Sequence, residues 1–316
     1  MLPDFLKPML ASLGEPFDSS EYTYEIKWDG YRCIAFLDSY TKLQSRNLKD
    51  LTPIFPELVN LHQHSHQHGC IIDGEIITLR SGKPSFTDLQ KRGQLRAENQ
   101  IKIAAKTNPV LYVVFDILYH NDCSIINEPI ENRREILLNN FSESNEFVFS
   151  KAIDGSGLNF FEASSKLGLE GVIAKKKASI YLPGKRVKYW QKFKKKCRGT
   201  FVICGFTLKP SSRGNLSALI LGAYQQELLK LFGMVGTGFT QDELIILENE
   251  LTKIKTQICP FTGTALVQKN TVWIKPVIVC EVEYLELTED GNLRHPSFKK
   301  VRSDLVPEDC QFGEYR

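Results

Sequence analysis

Several patterns that mark common protein classes are missing from this sequence of 316 residues. No apolar run approaches the roughly 20 residues that a membrane-spanning helix needs. The N-terminus "MLPDFLKPML" lacks the basic segment and apolar stretch of a signal peptide. The eight cysteines form no C-x-x-C pair, which argues against a zinc site. We therefore expect no membrane association, and free thiols in a reducing cytoplasm.

Two nucleotide-binding signatures are also missing, G-x-x-x-x-G-K-[ST] and G-x-G-x-x-G, which excludes a P-loop and a dinucleotide-binding fold. A strong net charge is missing too, since the formal value is only +3. The basic residues are unevenly placed, however, because residues 175–198 hold eleven Lys or Arg and no Asp or Glu. This basic run contains Tyr181, Tyr189, Trp190 and Phe193, a mixture that favours phosphate binding over a plain solvated surface.

The chain changes character near residue 195. Before that point, strand-like segments such as "CIIDGEIITL" and "VLYVVFDILYH" alternate with helix-like segments such as "PIFPELVNLHQHSHQHG", "SFTDLQKRGQ" and "PIENRREILLNNF". After it, about five short strand-like segments with glycine-bearing turns are interrupted by the helix-like "TQDELIILENELTKIK". The pattern predicts an α+β protein with domains over residues 1–195 and 196–316, the second a small β-barrel of the OB type.

Several strand-like segments that are otherwise apolar contain charged side chains, in one case next to an aromatic one, within the segment or at its end. They contribute Lys27, Glu75, Phe115, Asp116, Glu170, Lys192 and Lys194. Buried strands tolerate charge only when a partner or ligand compensates it. Lysines contact phosphate, carboxylates hold Mg²⁺ or ribose hydroxyls, and an aromatic ring stacks on a base. The set therefore predicts a site for a nucleoside triphosphate and a metal ion.

Five short motifs occur in a recognisable order. "KWDGYR" matches the K-x-D-G-x-R signature of covalent nucleotidyltransferases, and it is followed by "DGE" (73–75), "VFD" (114–116), "EGVIAKK" (170–176) and "WQKFK" (190–194). With the flanking "SRNLKDLTPIFPEL", "YLPGKR" and "LRHPSFKKVRSD", the sequence resembles the ATP-dependent DNA ligases, in particular the ligase domain of bacterial end-joining ligases (ligase D). The resemblance spans nearly the whole chain. It implies a nucleotidyltransferase (adenylation) domain of antiparallel sheets with flanking helices, followed by an OB-fold domain.

The resemblance implies three successive group transfers. A lysine amine attacks the α-phosphorus of ATP and expels pyrophosphate, the AMP moves to the 5′-phosphate at a nick, and the 3′-hydroxyl then displaces AMP. Lys27 matches the nucleophile. A lysine with the ordinary pKa of about 10.4 is mostly protonated and unreactive, so the resemblance requires nearby cations, such as Mg²⁺, Lys192 and Lys194, that favour the neutral amine.

Further roles follow from the resemblance, position by position. Lys192 and Lys194 match a pair that grips the α-phosphate. Glu75 matches a carboxylate that reads the ribose and helps to hold metal, and Glu170 a second metal-side carboxylate. Phe115 matches the ring that stacks on adenine.

The remaining positions lie near the first motif and at the end of the chain. Arg32 and Arg46 match arginines that contact the nucleotide or the 5′-phosphate of the nick. Glu25 lies where the family contacts adenine. Arg302 belongs to the last motif, which orients the leaving pyrophosphate. Catalysis of this kind is positioning plus charge neutralisation, which suits motifs rich in Lys, Arg and Glu.

The resemblance also implies cofactors and partners. We expect ATP with Mg²⁺, or Mn²⁺ as an alternative metal, and nicked double-stranded DNA gripped by the basic run and the barrel face, with an affinity that falls steeply with salt. The chain resembles a minimal ligase without a further DNA-binding domain. We expect a monomer in the bacterial cytoplasm, at the nucleoid, that serves repair by end joining with the end-binding protein Ku; replication or a mobile element is the alternative.

Other interpretations remain open at this point. An mRNA-capping guanylyltransferase shares K-x-D-G-x-R and the OB domain, and an RNA ligase is a related option, although "LRHPSFKKVRSD" and "YLPGKR" favour a DNA ligase. A catalytically weak nick-binding module is an alternative of another class. The cluster His62, His64, His66 and His68 suggests metal binding, but the polar end of a surface helix explains it more simply.

One departure from the family generates a prediction. The last motif, R-x-D-K in the family, reads Arg302-Ser303-Asp304-Leu305 here. We predict that self-adenylation is the weakened step and that sealing of pre-adenylated nicked DNA is not. Leu305→Lys should raise the adenylation rate and leave the sealing rate unchanged, as measured by single-turnover kinetics of both steps. No gain in adenylation would contradict the prediction, and would direct attention to Lys299 or Lys300 as a compensating cation.

Overall fold

The computed structural model describes residues 2–209, 216–261, 270–288 and 290–311. The chain divides into two compact units, unit 1 (Met1–Lys194) and unit 2 (Lys195–Arg316). The domain boundary that the sequence suggests, between residues 195 and 196, stays a prediction. All eight cysteines are free, as expected. In the part of the chain that is described, no helix has the length and apolar character needed to cross a membrane.

Over residues 2–194, unit 1 combines short and long strands with four α-helices. The helices are α1 (Phe86–Gln94), α2 (Glu98–Thr107), α3 (Ile130–Asn140) and α4 (Gly157–Lys166). The strands are β1 (Leu10–Leu13), β2 (Tyr22–Ile26), β3 (Tyr31–Leu37), β4 (Thr41–Ser45), β5 (Cys70–Arg80), β6 (Lys83–Pro84), β7 (Val110–His120), β8 (Cys123–Ser124), β9 (Phe147–Phe149), β10 (Ala152–Asp154), β11 (Gly171–Lys176) and β12 (Arg186–Lys194).

These strands form two sheets. The first sheet has the order β1-β12-β11-β2-β10, and the second has β4-β3-β5-β7-β8, with β6 beside β5 and β9 beside β7. Pairing is antiparallel except for β1 with β12 and β7 with β9. Two mainly antiparallel sheets with separate helices agree with the predicted α+β class.

The stretch "EIKWDGYR" connects the two sheets. It contains the end of β2, which lies in the first sheet, and the start of β3, which lies in the second. Gly30 makes this crossing possible, because a Cβ atom there would lie 2.2 Å from the carbonyl oxygen of Ile76. The two strands predicted from this stretch are confirmed, but they do not pair with each other. The crossing therefore places Lys27 on one sheet and Arg32 on the other.

Strand alternation gives the first sheet one apolar and one polar face. Tyr24, Val172, Ala174 and Phe193 pack together on one side as a small buried core. Because successive side chains of a strand point to opposite faces, their neighbours face the other way. The cross-strand register sets those neighbours in rows, Thr23–Lys175–Trp190 and Glu25–Ile173–Lys192. The amide of Lys27 donates to the carbonyl of Gly171 at 2.9 Å and continues the pattern by one row.

The second sheet also has two different faces. One face carries Cys33, Ala35, Ile72 and Ile76 into a large core that includes Leu89. The other face packs against the first sheet through Ile34, Phe36, Ile71 and Phe115, which meet Met9, Tyr181 and Trp190. The pairing of β5 with β7 shifts register between Asp73 and Gly74. At that point the side chains of β7 change the sheet face to which they point. The polar rows of the first sheet therefore lie against the end of this inter-sheet core.

The helix predicted for "PIFPELVNLHQHSHQHG" is wrong. This segment forms three short 3₁₀ helices, Thr52–Ile54, Pro56–Leu58 and Leu61–His64. Pro56 lacks an amide hydrogen and disfavours helical backbone in the residue before it, so a continuous α-helix cannot form. Two helices, α2 and α4, were not predicted; the sequence of α4, "GLNFFEASSK", contains several weak helix formers.

The histidine cluster has structural contacts. His62 Nδ1 lies 3.0 Å from the hydroxyl of Thr41, and the ring of His64 stacks on Phe147 at a centroid distance of 5.7 Å. Among the described residues, no group of three or more His, Cys, Asp or Glu side chains is arranged to hold a metal ion. His62 and His64 thus take part in contacts within unit 1, and the interpretation of the cluster as a polar surface segment stays a prediction, without the helix.

In its described residues, unit 2 has five strands and one α-helix, as predicted, together with a short 3₁₀ helix, Pro307–Asp309. They are β13 (Cys197–Leu208), β14 (Leu216–Gln225), β15 (Leu228–Val235), β16 (Thr271–Tyr284), β17 (Ser297–Val301) and α5 (Gln241–Lys253). The strands form an antiparallel sheet in the order β15-β14-β13-β16-β17. Helix α5 begins with a capping box between Thr240 and Glu243.

A buried ion pair in unit 1 generates a stability prediction. Arg133 and Asp116 are fully buried, and their guanidinium and carboxylate groups meet in two contacts of 2.7 and 2.8 Å. Arg133→Met would leave the Asp116 carboxylate without a partner, so we expect a loss of about 3–5 kcal/mol in the free energy of unfolding. Chemical denaturation measures this loss.

The exposed pair Lys102–Glu98 on α2 provides the control. Lys102→Met should give an unfolding curve that overlaps that of the unchanged protein, because exposed pairs contribute little. Equal effects of the two substitutions would contradict the importance of burial for the Arg133 pair.

Candidate active site

A pocket opens between the two sheets of unit 1, which we call the inter-sheet pocket. Its walls come from β1, β2, β11 and β12 on one side and from β3, β5 and β7 on the other. The lining residues are Leu10, Ala11, Glu25, Ile26, Lys27, Trp28, Arg32, Arg46, Glu75, Phe115, Ile173, Lys175, Arg186, Trp190 and Lys192. Seven residues predicted for the site are therefore brought together here: Glu25, Lys27, Arg32, Arg46, Glu75, Phe115 and Lys192.

Glu170 joins two of the predicted lysines. Its carboxylate accepts a short hydrogen bond from Lys27 Nζ through Oε2 and lies 2.7 Å from Lys194 Nζ through Oε1. Burial raises the pKa of Glu170, but the charges and hydrogen bonds of Lys27 and Lys194 outweigh burial and lower it overall. The carboxylate thus stays charged, and it links the predicted nucleophile to Lys194 at the edge of the pocket.

Lys192 lies in the same row as Glu25 and Ile173. Its pKa is lowered, first by partial burial and then by the neighbouring charges of Lys194, Arg186 and Lys27. A group of cations this dense is stable only when an anion lies near it, and Glu170 supplies part of that charge. The remaining positive charge suits an anionic ligand such as a phosphate chain.

Arg32 is held by a forked ion pair. Its guanidinium donates to both oxygens of Asp73 at 2.6 Å, and the hydroxyl of Tyr181 donates to Asp73 at 2.6 Å. Burial disfavours the charge of Arg32, but the interaction with Asp73 is stronger and raises its pKa overall. Arg32 therefore presents a fixed positive charge at the wall of the inter-sheet pocket.

Glu75 lies opposite Arg32 in the register of β3 and β5. Burial raises its pKa to about 7, although the charges of Arg32 and Lys27 act in the opposite direction. Gly74, the central residue of the "DGE" motif, has no space for a side chain, because a Cβ there would lie 2.6 Å from the carbonyl oxygen of Val113. The glycine thus allows β5 to approach β7 closely and fixes the position of Glu75.

Glu25 and Phe115 meet a residue that sequence reasoning missed. Lys175 is buried at 2% exposure, and its Nζ lies 2.8 Å from Glu25 Oε1 and 4.3 Å from the centroid of the Phe115 ring. Burial lowers the pKa of Lys175, while Glu25 opposes that effect. The sequence contained a usable signal, since Lys175 follows Gly171 and Ile173 at the spacing of two that selects one strand face. Because Lys175 begins a run of basic residues, it was interpreted as one of several exposed lysines.

The basic run is not a uniform surface, and the expectation that it binds phosphate stays a prediction. Tyr181, Trp190 and Phe193 are buried, and Tyr189 alone of the four is exposed, at 42%. These aromatic side chains serve the cores of unit 1, because period-two alternation sends them to the sheet faces that are covered. Trp190 nevertheless lines the inter-sheet pocket, as do Trp28 and Arg186, which sequence reasoning did not assign.

Arg302 belongs to unit 2, whereas the lining of the inter-sheet pocket comes from unit 1. Within unit 2, its guanidinium pairs with both oxygens of Asp304 at 2.6 and 2.8 Å and lies 3.5 Å from Glu281. Leu305 packs against the core of unit 2. The leucine at position 305 thus contributes to the packing of unit 2.

Comparison with known protein families covers both units. A family model described as "ATP dependent DNA ligase domain" matches residues 4–194, and one described as "ATP dependent DNA ligase C terminal region" matches residues 212–305. The chain is 33% identical over 311 residues to the multifunctional non-homologous end joining protein LigD of Mycobacterium bovis, covering 96% of this chain and 39% of that protein. It is 30% identical over 329 residues to DNA ligase C1 of Mycolicibacterium smegmatis, covering 98% and 93%.

Comparison with solved structures also finds DNA ligases. The ligase domain of M. tuberculosis LigD superposes with a TM-score of 0.55 at 32% identity, over 96% of this chain and 97% of that one. A Lig E DNA ligase gives a TM-score of 0.64 over 93% and 98%, and its 18% identity shows the fold alone. The chain thus spans 39% of the length of the LigD protein and nearly all of its ligase domain. A nucleotidyltransferase domain followed by an OB-fold is confirmed, and the chain belongs to the ATP-dependent DNA ligase family.

Proposed function

We propose that this protein is an ATP-dependent DNA ligase that seals nicks in duplex DNA through a lysyl-AMP intermediate and a DNA-adenylate. The observation that carries the proposal is the inter-sheet pocket, whose lining brings Lys27 together with other cations, two glutamates and aromatic rings, and whose Lys27 is paired with a third carboxylate, that of Glu170. Such a pocket provides a nucleophile, phosphate contacts and a surface for a base. The two compact units would serve as the adenylation domain and the OB domain, with the boundary near residues 195 and 196.

In the first step, the Lys27 amine forms a bond to the α-phosphorus of ATP while the bond to the pyrophosphate oxygen breaks. The amine must lose a proton before it attacks. Glu170 Oε2, which accepts a hydrogen bond from Lys27 Nζ, would take up that proton and pass it to water, and the positive charges of a metal ion, Lys192 and Lys194 would favour the neutral amine. Lys192 and Lys194 would then neutralise the α-phosphate during this and the later transfers.

The other residues would hold the nucleotide. Phe115 offers a ring for stacking on adenine, Glu25 contacts the base, and Glu75 binds the ribose. Arg32 and Arg46 would contact the nucleotide or the 5′-phosphate of the nick, and Arg302 would orient the leaving pyrophosphate. Each of these roles suits the chemistry of the side chain, and the first five of these residues line the inter-sheet pocket.

A magnesium ion fits the carboxylates of the site. Mg²⁺ is usually bound by one or two carboxylates together with substrate phosphates and water, and Glu75 and Glu170 are close enough for the charge of Glu170 to raise the pKa of Glu75. These two residues would hold Mg²⁺, or Mn²⁺ in its place, and the ion would supply charge neutralisation at the phosphates.

The biological setting is part of the proposal. Relatives named for non-homologous end joining support a role in repair of DNA breaks. We therefore propose a monomeric enzyme of the bacterial cytoplasm, at the nucleoid, that acts on nicked duplex DNA and works with the end-binding protein Ku.

The nucleophile is tested by intact mass after incubation with Mg²⁺ and either ATP or GTP. We expect the unchanged protein to gain one AMP, and Lys27→Ala and Lys27→Arg to gain none, because neither retains a primary amine at that position. Lys166→Ala, an exposed lysine of α4, is the matched control and should still gain AMP. A gain of GMP instead would support a capping-type guanylyltransferase, and adduct formation by Lys27→Ala would contradict the assignment.

DNA binding is tested through the exposed part of the basic run. Lys185 and Lys188 are exposed, whereas Lys175 is buried. The double substitution Lys185→Ala/Lys188→Ala should weaken binding to nicked DNA and reduce the slope of log affinity against log salt by about 2, because two phosphate contacts are lost.

The control for this experiment is Lys102→Ala/Lys106→Ala, which removes two exposed charges from α2. Fluorescence anisotropy at several salt concentrations gives both slopes. Equal slopes for the two double variants would show that Lys185 and Lys188 do not contact phosphates.

A further inference from the structure

Glu25 forms a wall between two cavities of unit 1. One is the inter-sheet pocket, and the other lies beside α3 and is lined in part by Thr23, Ile130, Arg134 and Leu138. Glu25 itself is 2% exposed. A carboxylate this buried needs compensation, so the groups that hold it decide how it faces a ligand in the inter-sheet pocket.

Two cations hold Glu25 from different elements. Lys175 Nζ on β11 lies 2.8 Å from Oε1, and Arg134 Nη1 on α3 donates to the same oxygen at 3.3 Å. Arg134 is itself fixed, because its Nη2 donates a short hydrogen bond to the carbonyl of Ser150. Two donors converging on Oε1 hold that oxygen on the side of β11 and α3, and we expect Oε2 to be the oxygen that accepts from a bound molecule.

Helix α3 supports the inter-sheet pocket at a second point. Arg133, which precedes Arg134, pairs with Asp116, the residue after Phe115. Successive residues of a helix point in directions about 100° apart, so two consecutive arginines reach two different elements. One helix outside the nucleotidyltransferase motifs thus fixes the neighbour of the predicted stacking ring and also the predicted base-contacting carboxylate.

We propose that Arg134, together with Lys175, is a positioning residue that sets the purine preference of the inter-sheet pocket by orienting Glu25. The inference rests on the proposed function. A carboxylate only accepts hydrogen bonds. The 6-amino group of adenine donates one, whereas O6 of guanine is an acceptor. A fixed Glu25 carboxylate therefore favours adenine, and a carboxylate that is free to turn away loses that selection.

The experiment compares ATP with purine riboside triphosphate, which differs from it at position 6 alone, and with GTP, which also carries a 2-amino group. Single-turnover formation of the covalent adduct would be measured with ATP, GTP and purine riboside triphosphate, which lacks the 6-amino group. We expect the unchanged protein to prefer ATP, and Arg134→Met to lower the ratio of ATP to purine riboside triphosphate rates by about tenfold. The rate with purine riboside triphosphate itself should hardly change, because that base makes no use of the carboxylate.

Two further variants complete the test. Arg134→Lys keeps the charge and should recover most of the preference, and Lys151→Met, which removes an exposed charge one residue after Ser150, should match the unchanged protein. If Arg134→Met fails to fold, the ratio of ATP to purine riboside triphosphate rates would be measured for Arg134→Gln instead. This substitution replaces the cation with a neutral hydrogen-bond donor.

The outcomes are distinct. An unchanged ratio, or an equal loss of rate with all three nucleotides, overturns the inference and leaves the proposed function intact. If the unchanged protein forms no adduct with any triphosphate, the proposed function fails and the inference falls with it. A selective loss of the ATP preference, restored by Arg134→Lys, supports the inference.

Discussion

The site depends on the compensation of buried charge. Lys27 and Lys194 share Glu170, Arg32 is paired with Asp73, and Lys175 shares Glu25 with Arg134. A buried charge without a partner has a high desolvation cost. Pairing compensates that cost and holds these side chains in place at the walls and edge of the inter-sheet pocket.

The crossing of the chain between the two sheets places these charged residues on opposite walls of the inter-sheet pocket. The short segment from Glu25 to Arg32 leaves the first sheet and enters the second, and Gly30 permits the close approach. Because alternate residues of a strand share a face, the cross-strand rows set Glu25 and Lys192 on one wall, while Arg32 and Glu75 occupy the opposite wall. The apolar residues between them belong to the cores that hold both sheets together.

Sequence reasoning was successful where a local pattern carries the information. Helix α1 follows its Ser85 cap, the long apolar strands β5 and β7 are where hydrophobicity places them, and the strands of unit 2 follow their glycine-bearing turns. It failed at Pro53–His64, where prolines break an apparently helical pattern, and at α4, whose sequence has weak helix propensity. The motifs supplied seven of the residues that line the inter-sheet pocket. Lys175 was missed although its spacing along β11 carried a signal, and Arg134 was missed because its ion pair with Glu25 joins segments that are far apart in the sequence.

The sequence by itself determined the family, the α+β class and the side chains available for catalysis, because residue type and spacing within a strand are local properties. Tertiary structure decided which of those side chains meet. It joined Lys27 to Glu170 across 143 positions, buried Lys175 out of an apparently exposed basic run, and brought Arg134 from a helix onto Glu25. The reason is physical: register, face and burial are set by packing between distant elements, and a charge becomes a structural or catalytic element only when that packing removes water from it.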